Sequence, residues 1–151
     1  MSRLETPMTR WYWSQVGGLL LEEFLVVPRA SGQGRRLLDG LIVLGEPAAI
    51  APPGARFDIA GRDVVAVQTK NSLLGMYLMG QALFSRDLVR TLGVNSVTSI
   101  ALCAASDKVL APMLEAHENC RVVVCPPEVC RVPPNNSSKP TPLRGAAQLR
   151  R

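Results

Sequence analysis

The chain has 151 residues, 47% hydrophobic and 19% charged, which is enough for one sizeable core and too short to suggest a second independent domain. Its formal net charge of +5 resides in residues 131–151, where Arg131, Lys139, Arg144, Arg150 and Arg151 stand without an acid; residues 1–130 are formally neutral, so charge alone is a weak argument for a polyanion partner. The longest apolar runs, 17–21 and 73–84, fall short of the ~20 residues that cross a bilayer, and no continuous apolar signal core follows the first charges, so the expectation is a cytoplasmic protein without membrane contact.

Along the chain, residues 7–23 read as a helix on Trp11, Trp13, Val16, Leu19, Leu20 and Leu21, weakened by Gly17 and Gly18. Residues 24–28 read as a short buried strand closed by Pro28, and residues 35–44 as a second strand with one acid, Asp39, among apolar neighbours. The connection 46–62 carries a short expected strand at 56–59. Residues 63–69 form a strand by their β-branched content, followed by a helix over 73–92 that is apolar on nearly every face at first and stops at Gly93. A strand at 97–103, a helix from a Ser106 cap to His117 with Pro112 inside, and a strand at 120–125 complete the series. The order predicts one α/β domain over residues 1–130, with a mixed sheet flanked by helices. The Pro/Ser/Asn-rich basic segment 131–151 reads as a disordered tail.

His117, Cys120, Cys125 and Cys130 form H-x2-C-x4-C-x4-C, a candidate zinc set without the close C-x2-C pair that structural zinc sites usually present. Reduced, mostly buried thiols are the simpler reading of the four cysteines.

Strand positions two apart share a face, so Gln68 and Lys70 are expected to point together from the end of the 63–69 strand, with Thr69 opposite. A lysine and a carboxamide there need solvent, a partner or an ion. If the preceding strand pairs antiparallel, the Asp39 carboxylate meets them across the ladder. A carboxylate, an amide oxygen and a backbone carbonyl form a hard oxygen site suited to Mg2+ or Mn2+, with substrate phosphate as a further ligand. Each residue also has an ordinary reading: Asp39-Gly40 as a turn, Lys70 snorkelling at a strand end, Glu22 and Glu23 as solvated helix residues.

Asp39, then Gln68-Thr69-Lys70, with Glu22-Glu23 upstream and this element order, resembles the PD-(D/E)xK nuclease superfamily over roughly residues 10–125. The resemblance implies a restriction-endonuclease-like αβββαβ core similar to that of Holliday-junction resolvases. It implies Asp39 as the main metal ligand, Gln68 and the Thr69 backbone carbonyl as further ligands, and Glu22 or Glu23 as a metal-linked acid. Lys70 would position or activate the attacking water in phosphodiester hydrolysis. Gln68 departs from the commoner glutamate and supplies one neutral oxygen, which lowers the expected metal affinity. Arg29, Arg35 and Arg36 near the Asp39 strand, with Gln81 and Arg86 on the following helix, are the candidate backbone contacts. The expected function is a Mg2+- or Mn2+-dependent endonuclease acting on DNA in preference to RNA. The alternative is an inactive nuclease fold serving as a nucleic-acid-binding or protein-interaction module. With no separate recognition domain, a homodimer or partner subunit is the remaining source of specificity.

Overall fold

The computed structural model describes residues 1–130; the basic segment 131–151 lies outside them. Helix α1 (Glu5–Val16) leads into strands β1 (Leu19–Val27), β2 (Arg36–Val43), β3 (Ala49–Ile50) and β4 (Asp63–Leu73). Helix α2 (Met76–Arg90), strand β5 (Ser96–Ala105), helix α3 (Leu110–Glu115), strand β6 (Cys120–Val124) and helix α4 (Pro127–Cys130) follow. The six strands form one mixed sheet in the order β3-β1-β2-β4-β5-β6. β1, β2 and β4 pair antiparallel, whereas β4, β5 and β6 run parallel, with β3 a short parallel edge beside β1.

The first helix is shorter than its apolar run suggests. Gly17 and Gly18 take φ values of 80° and 78°, and a Cβ at Gly18 would stand 2.5 Å from the Val43 carbonyl oxygen. The pair therefore terminates the helix, and the leucines after it begin a strand. Glu22 and Glu23 consequently belong to β1 and not to the first helix. The short strand expected at 56–59 is absent; the short strand lies at Ala49–Ile50 instead. The third helix begins at Leu110, after Asp107, whose Oδ1 accepts the N–H groups of Val109 and Leu110 at 2.8 Å; Ser106 does not cap it.

The sheet is buried on both faces. Met8 of α1, Leu20, Ile42, Val65, Val67, Ile100 and Leu102 fill one side. On the other, Leu41, Val64 and Ala66 pack with Val89 of α2, and Leu78, Ala82, Ala101 and Cys103 continue the layer toward Leu114 of α3. Among the described residues no helix is long and apolar enough to cross a membrane.

Candidate active site

The centre of the sheet carries a paired irregularity. In β2, Leu38 and Leu41 pack into the same α2-side cluster although they are three apart. In β1, Leu21 and Phe24 do likewise, and Glu23 between them has φ 49°, a left-handed conformation that is costly outside glycine. Strict alternation thus fails in both strands where Asp39 and Glu23 lie, between the pairs Glu22↔Gly40 and Phe24↔Leu38. The β2–β4 ladder ends at Gly40↔Val67, one residue short of Asp39. There the Asp39 Oδ2 accepts the backbone N–H of Thr69 at 2.7 Å.

Helix α1 reaches this point because residue 40 has no side chain. A Cβ at Gly40 would stand 3.0 Å from the Thr9 Cγ2 and 3.2 Å from the Leu20 Cδ1. The buried hydroxyls of Thr9 and Thr69 bond at 2.8 Å, clamping α1 to β4. The Asp-Gly pair is therefore no turn; its glycine admits the helix.

That approach brings in an acid from the first helix turn. Glu5, 13% exposed at its side chain, stands with its Oε1 3.9 Å from the Lys70 Nζ, and its Oε2 accepts the Ser2 N–H at 3.0 Å. Burial, chiefly, pushes the Asp39 carboxyl above its usual range, with the charges of Glu5 and Glu23 acting in the same direction; the Thr69 N–H and the Met1 amine oppose them. Asp39 is thus a half-buried carboxylate with Glu5, Glu23 and the Met1 amine around it, and Lys70 reaches Glu5 from the solvent side.

Gln68 does not join it. Its side chain is buried on the α2 face, where Nε2 donates to the Ser85 Oγ at 2.9 Å. The expectation that Gln68 and Asp39 share one face is thus corrected. Asp39 and Glu5 stand near each other on the α1 side and Lys70 reaches Glu5, while Gln68 belongs to the other layer, because β2–β4 pairing stops before Asp39 can oppose Gln68. Thr69 does lie on the face opposite Gln68. Glu22 is occupied by Arg10, whose Nη2 is 2.8 Å away, and Glu23 by the Met1 amine at 3.0 Å. Neither supplies a helix-borne acid; Glu5 stands in that place.

The candidate phosphate contacts also separate. Arg35, Arg36 and Gln81 line a groove of about 620 Å³ between β2 and α2, together with Gln68, Tyr77 and Phe84. Arg29 is exposed outside it. Arg86 turns away to the Glu118 carbonyl at 2.7 Å and to Asp87.

Among the described residues no three His, Cys, Asp or Glu side chains converge closely enough to cage a metal by themselves. This applies to His117, Cys120, Cys125 and Cys130 as well. Cys120 opens β6 and Cys125 directly follows it, both as buried thiols, and burial, with Cys130 beside it, holds the Cys125 thiol up at about 12. A divalent ion at Asp39 would therefore need a mixed oxygen set: one carboxylate, backbone carbonyls such as that of Thr69, and water. Magnesium commonly uses such a set. Comparison with protein-family models, with curated proteins and with solved structures finds no match for this chain.

Proposed function

We propose that the chain is a divalent-metal-dependent nuclease of PD-(D/E)xK type, hydrolysing phosphodiester bonds in DNA at Asp39 and Lys70. The observation that carries this reading is the carboxylate of Asp39, held at the end of a ladder by a backbone N–H, its pKa raised, with Glu5 near it and Lys70 in turn beside Glu5. A half-buried carboxylate with other acids near it is relieved by a cation, and a partly hydrated Mg2+ or Mn2+ fits an oxygen set with one strong ligand. When bound, such an ion supplies a more acidic water and neutralises phosphate charge.

The chain's own residues divide the remaining work. Asp39 anchors the ion, with the Thr69 N–H fixing the carboxylate's orientation. Glu5 draws the Lys70 ammonium toward the site by its charge. Lys70, largely exposed, offers its three donors to the scissile phosphate and steadies the negative charge that grows there during attack. The Thr9–Thr69 clamp keeps α1, and so Glu5, in register with β4.

One observation favours a second reading. With its amide turned onto Ser85, Gln68 leaves the ion without its usual second ligand, as in a nuclease fold that binds nucleic acid without cutting it. One experiment separates the two: incubation of labelled single-stranded and duplex DNA with the protein in Mg2+ or Mn2+, beside D39N and K70M. The nuclease reading expects metal-dependent cleavage by wild type and loss of at least a hundred-fold in each variant. Absence of cleavage with every DNA form and both metals leaves the binding module.

A further inference from the structure

The α2 groove has an aromatic wall that no described residue covers. Met76 and Tyr77 are each 77% exposed and Phe84 is 64% exposed. Tyr77 and Phe84 are seven apart, so they stand on one face of the helix about 10 Å apart along its axis. Between them lies Gly80, above which a Cβ would find nothing within 4 Å. A glycine inside a helix weakens it, and here no packing among the described residues requires it. What it provides is a flat gap between two rings. Arg35 and Arg36 form the opposite wall, and neither has a carboxylate partner among the described residues. At the floor is the Gln68 amide, with Nε2 fixed by Ser85 and Oε1 free of any bond within the described residues yet not sealed from solvent.

Rings spaced along a helix, a gap between them, guanidinium groups opposite and an amide at the base match an anionic chain of flat, unpaired bases. A second copy of this protein fits less well, since a two-fold contact here would bring four uncompensated guanidinium groups together. A duplex fits less well too, because its bases are already stacked and only its phosphates face outward.

We infer that this groove binds single-stranded nucleic acid, with bases stacked on Tyr77 and Phe84 and phosphates met by Arg35 and Arg36. This rests on the nuclease reading and names its substrate class: the groove lies on the α2 face, and its lining residues Leu38 and Gln68 are the chain neighbours of Asp39 and Thr69, so a strand seated here reaches the proposed site only by passing around the point where the β2–β4 ladder ends.

The test is the affinity of the full chain, in EDTA, for fluorescent oligothymidylate and for a duplex of equal length. Wild type is compared with Y77A/F84A, R35Q/R36Q and G80L. Wild type is expected to prefer the single strand at least ten-fold. Y77A/F84A should lose about 30-fold or more of single-strand affinity, from about 1–3 kcal/mol per stacked base, and little of duplex affinity. R35Q/R36Q should weaken binding and flatten its salt dependence. G80L should raise the thermal midpoint, because leucine favours helix, while weakening single-strand binding by filling the gap; a structural role for the groove would not produce that opposition. Equal affinity of wild type and Y77A/F84A, preference for duplex, no binding of either DNA, or self-association that disappears in Y77A/F84A would each overturn the inference. Because the binding is read without metal, an uncleaved single strand that still binds through Tyr77 and Phe84 counts against the nuclease reading alone. Cleavage indifferent to Y77A/F84A counts against the groove alone.

Discussion

Replacing Asp39 by asparagine separates the cost of the carboxylate's charge from its hydrogen bond, since the asparagine Oδ1 can still accept the Thr69 N–H now bonded at 2.7 Å. Burial, followed by the neighbouring acids, holds this carboxyl above its ordinary value of 3.8. The folded state therefore binds the proton more tightly than the unfolded chain does. That contribution to stability is complete below the ordinary value and is lost as pH rises through the folded one, so at pH 7 the fold carries an ionised group at a loss. Asparagine stands in for the protonated form. In EDTA at pH 7 the D39N protein should be more stable by on the order of 1 kcal/mol, the lower end of the cost of an incompletely solvated buried polar group. For a domain of this size that is about 3–6 °C in Tm. Urea denaturation from pH 7 downward should show the gap between the two proteins closing as Asp39 protonates. Saturating Mn2+ should reverse the order, because only wild type gains from binding, by about 2.7 kcal/mol at a hundred-fold excess over Kd. A less stable D39N at pH 7, or a gap that ignores both pH and Mn2+, would refute the electrostatic account of the site.

Thr9→Val strands the buried Thr69 hydroxyl and should cost about 1–3 kcal/mol in urea denaturation, whereas Thr9→Val with Thr69→Val should recover most of it; equal losses in single and double variants would mean that the clamp is not a pair. Gln68→Glu, the change toward the commoner motif, should lower stability at neutral pH by placing a carboxylate on the buried α2 face, and should not raise cleavage; a more active, equally stable variant would show that residue 68 turns toward Asp39. Glu5→Gln should leave the unfolding free energy within about 0.5 kcal/mol, since its partners Ser2 and Lys70 are exposed, yet lower the cleavage rate by releasing Lys70; an unchanged rate would remove Glu5 from the site.

The long strands and helices from residue 36 onward are legible from periodicity, because the apolar run at 36–43, the β-branched runs at 63–69 and 97–103 and the apolar half of α2 each match one period, whereas the two-residue strand β3 and the start of α3 at Leu110 depend on pairing and on Asp107. The first thirty residues are less so. Their aromatic and leucine residues suit helix and strand alike, and only the left-handed Gly17-Gly18 pair separates the two, through a clash with the Val43 carbonyl that no local pattern reveals. Glu5 had a signal: Ser2-x-x-Glu5 is a capping-box spacing, and the structure realises half of it in the Ser2 N–H bond to Glu5. The side of the sheet taken by Gln68 had none. It depends on where the β2–β4 ladder ends and on a serine seventeen residues away, both facts of tertiary pairing.

The most direct test of the proposed metal chemistry is anomalous diffraction from crystals of the protein soaked in Mn2+. The account predicts one peak about 2.1–2.2 Å from an Asp39 carboxylate oxygen, close to the Thr69 carbonyl and distant from Gln68, and its absence from D39N crystals. Crystals of a protein that cleaves DNA in Mn2+ but show no peak at Asp39, or show it elsewhere, would contradict the account.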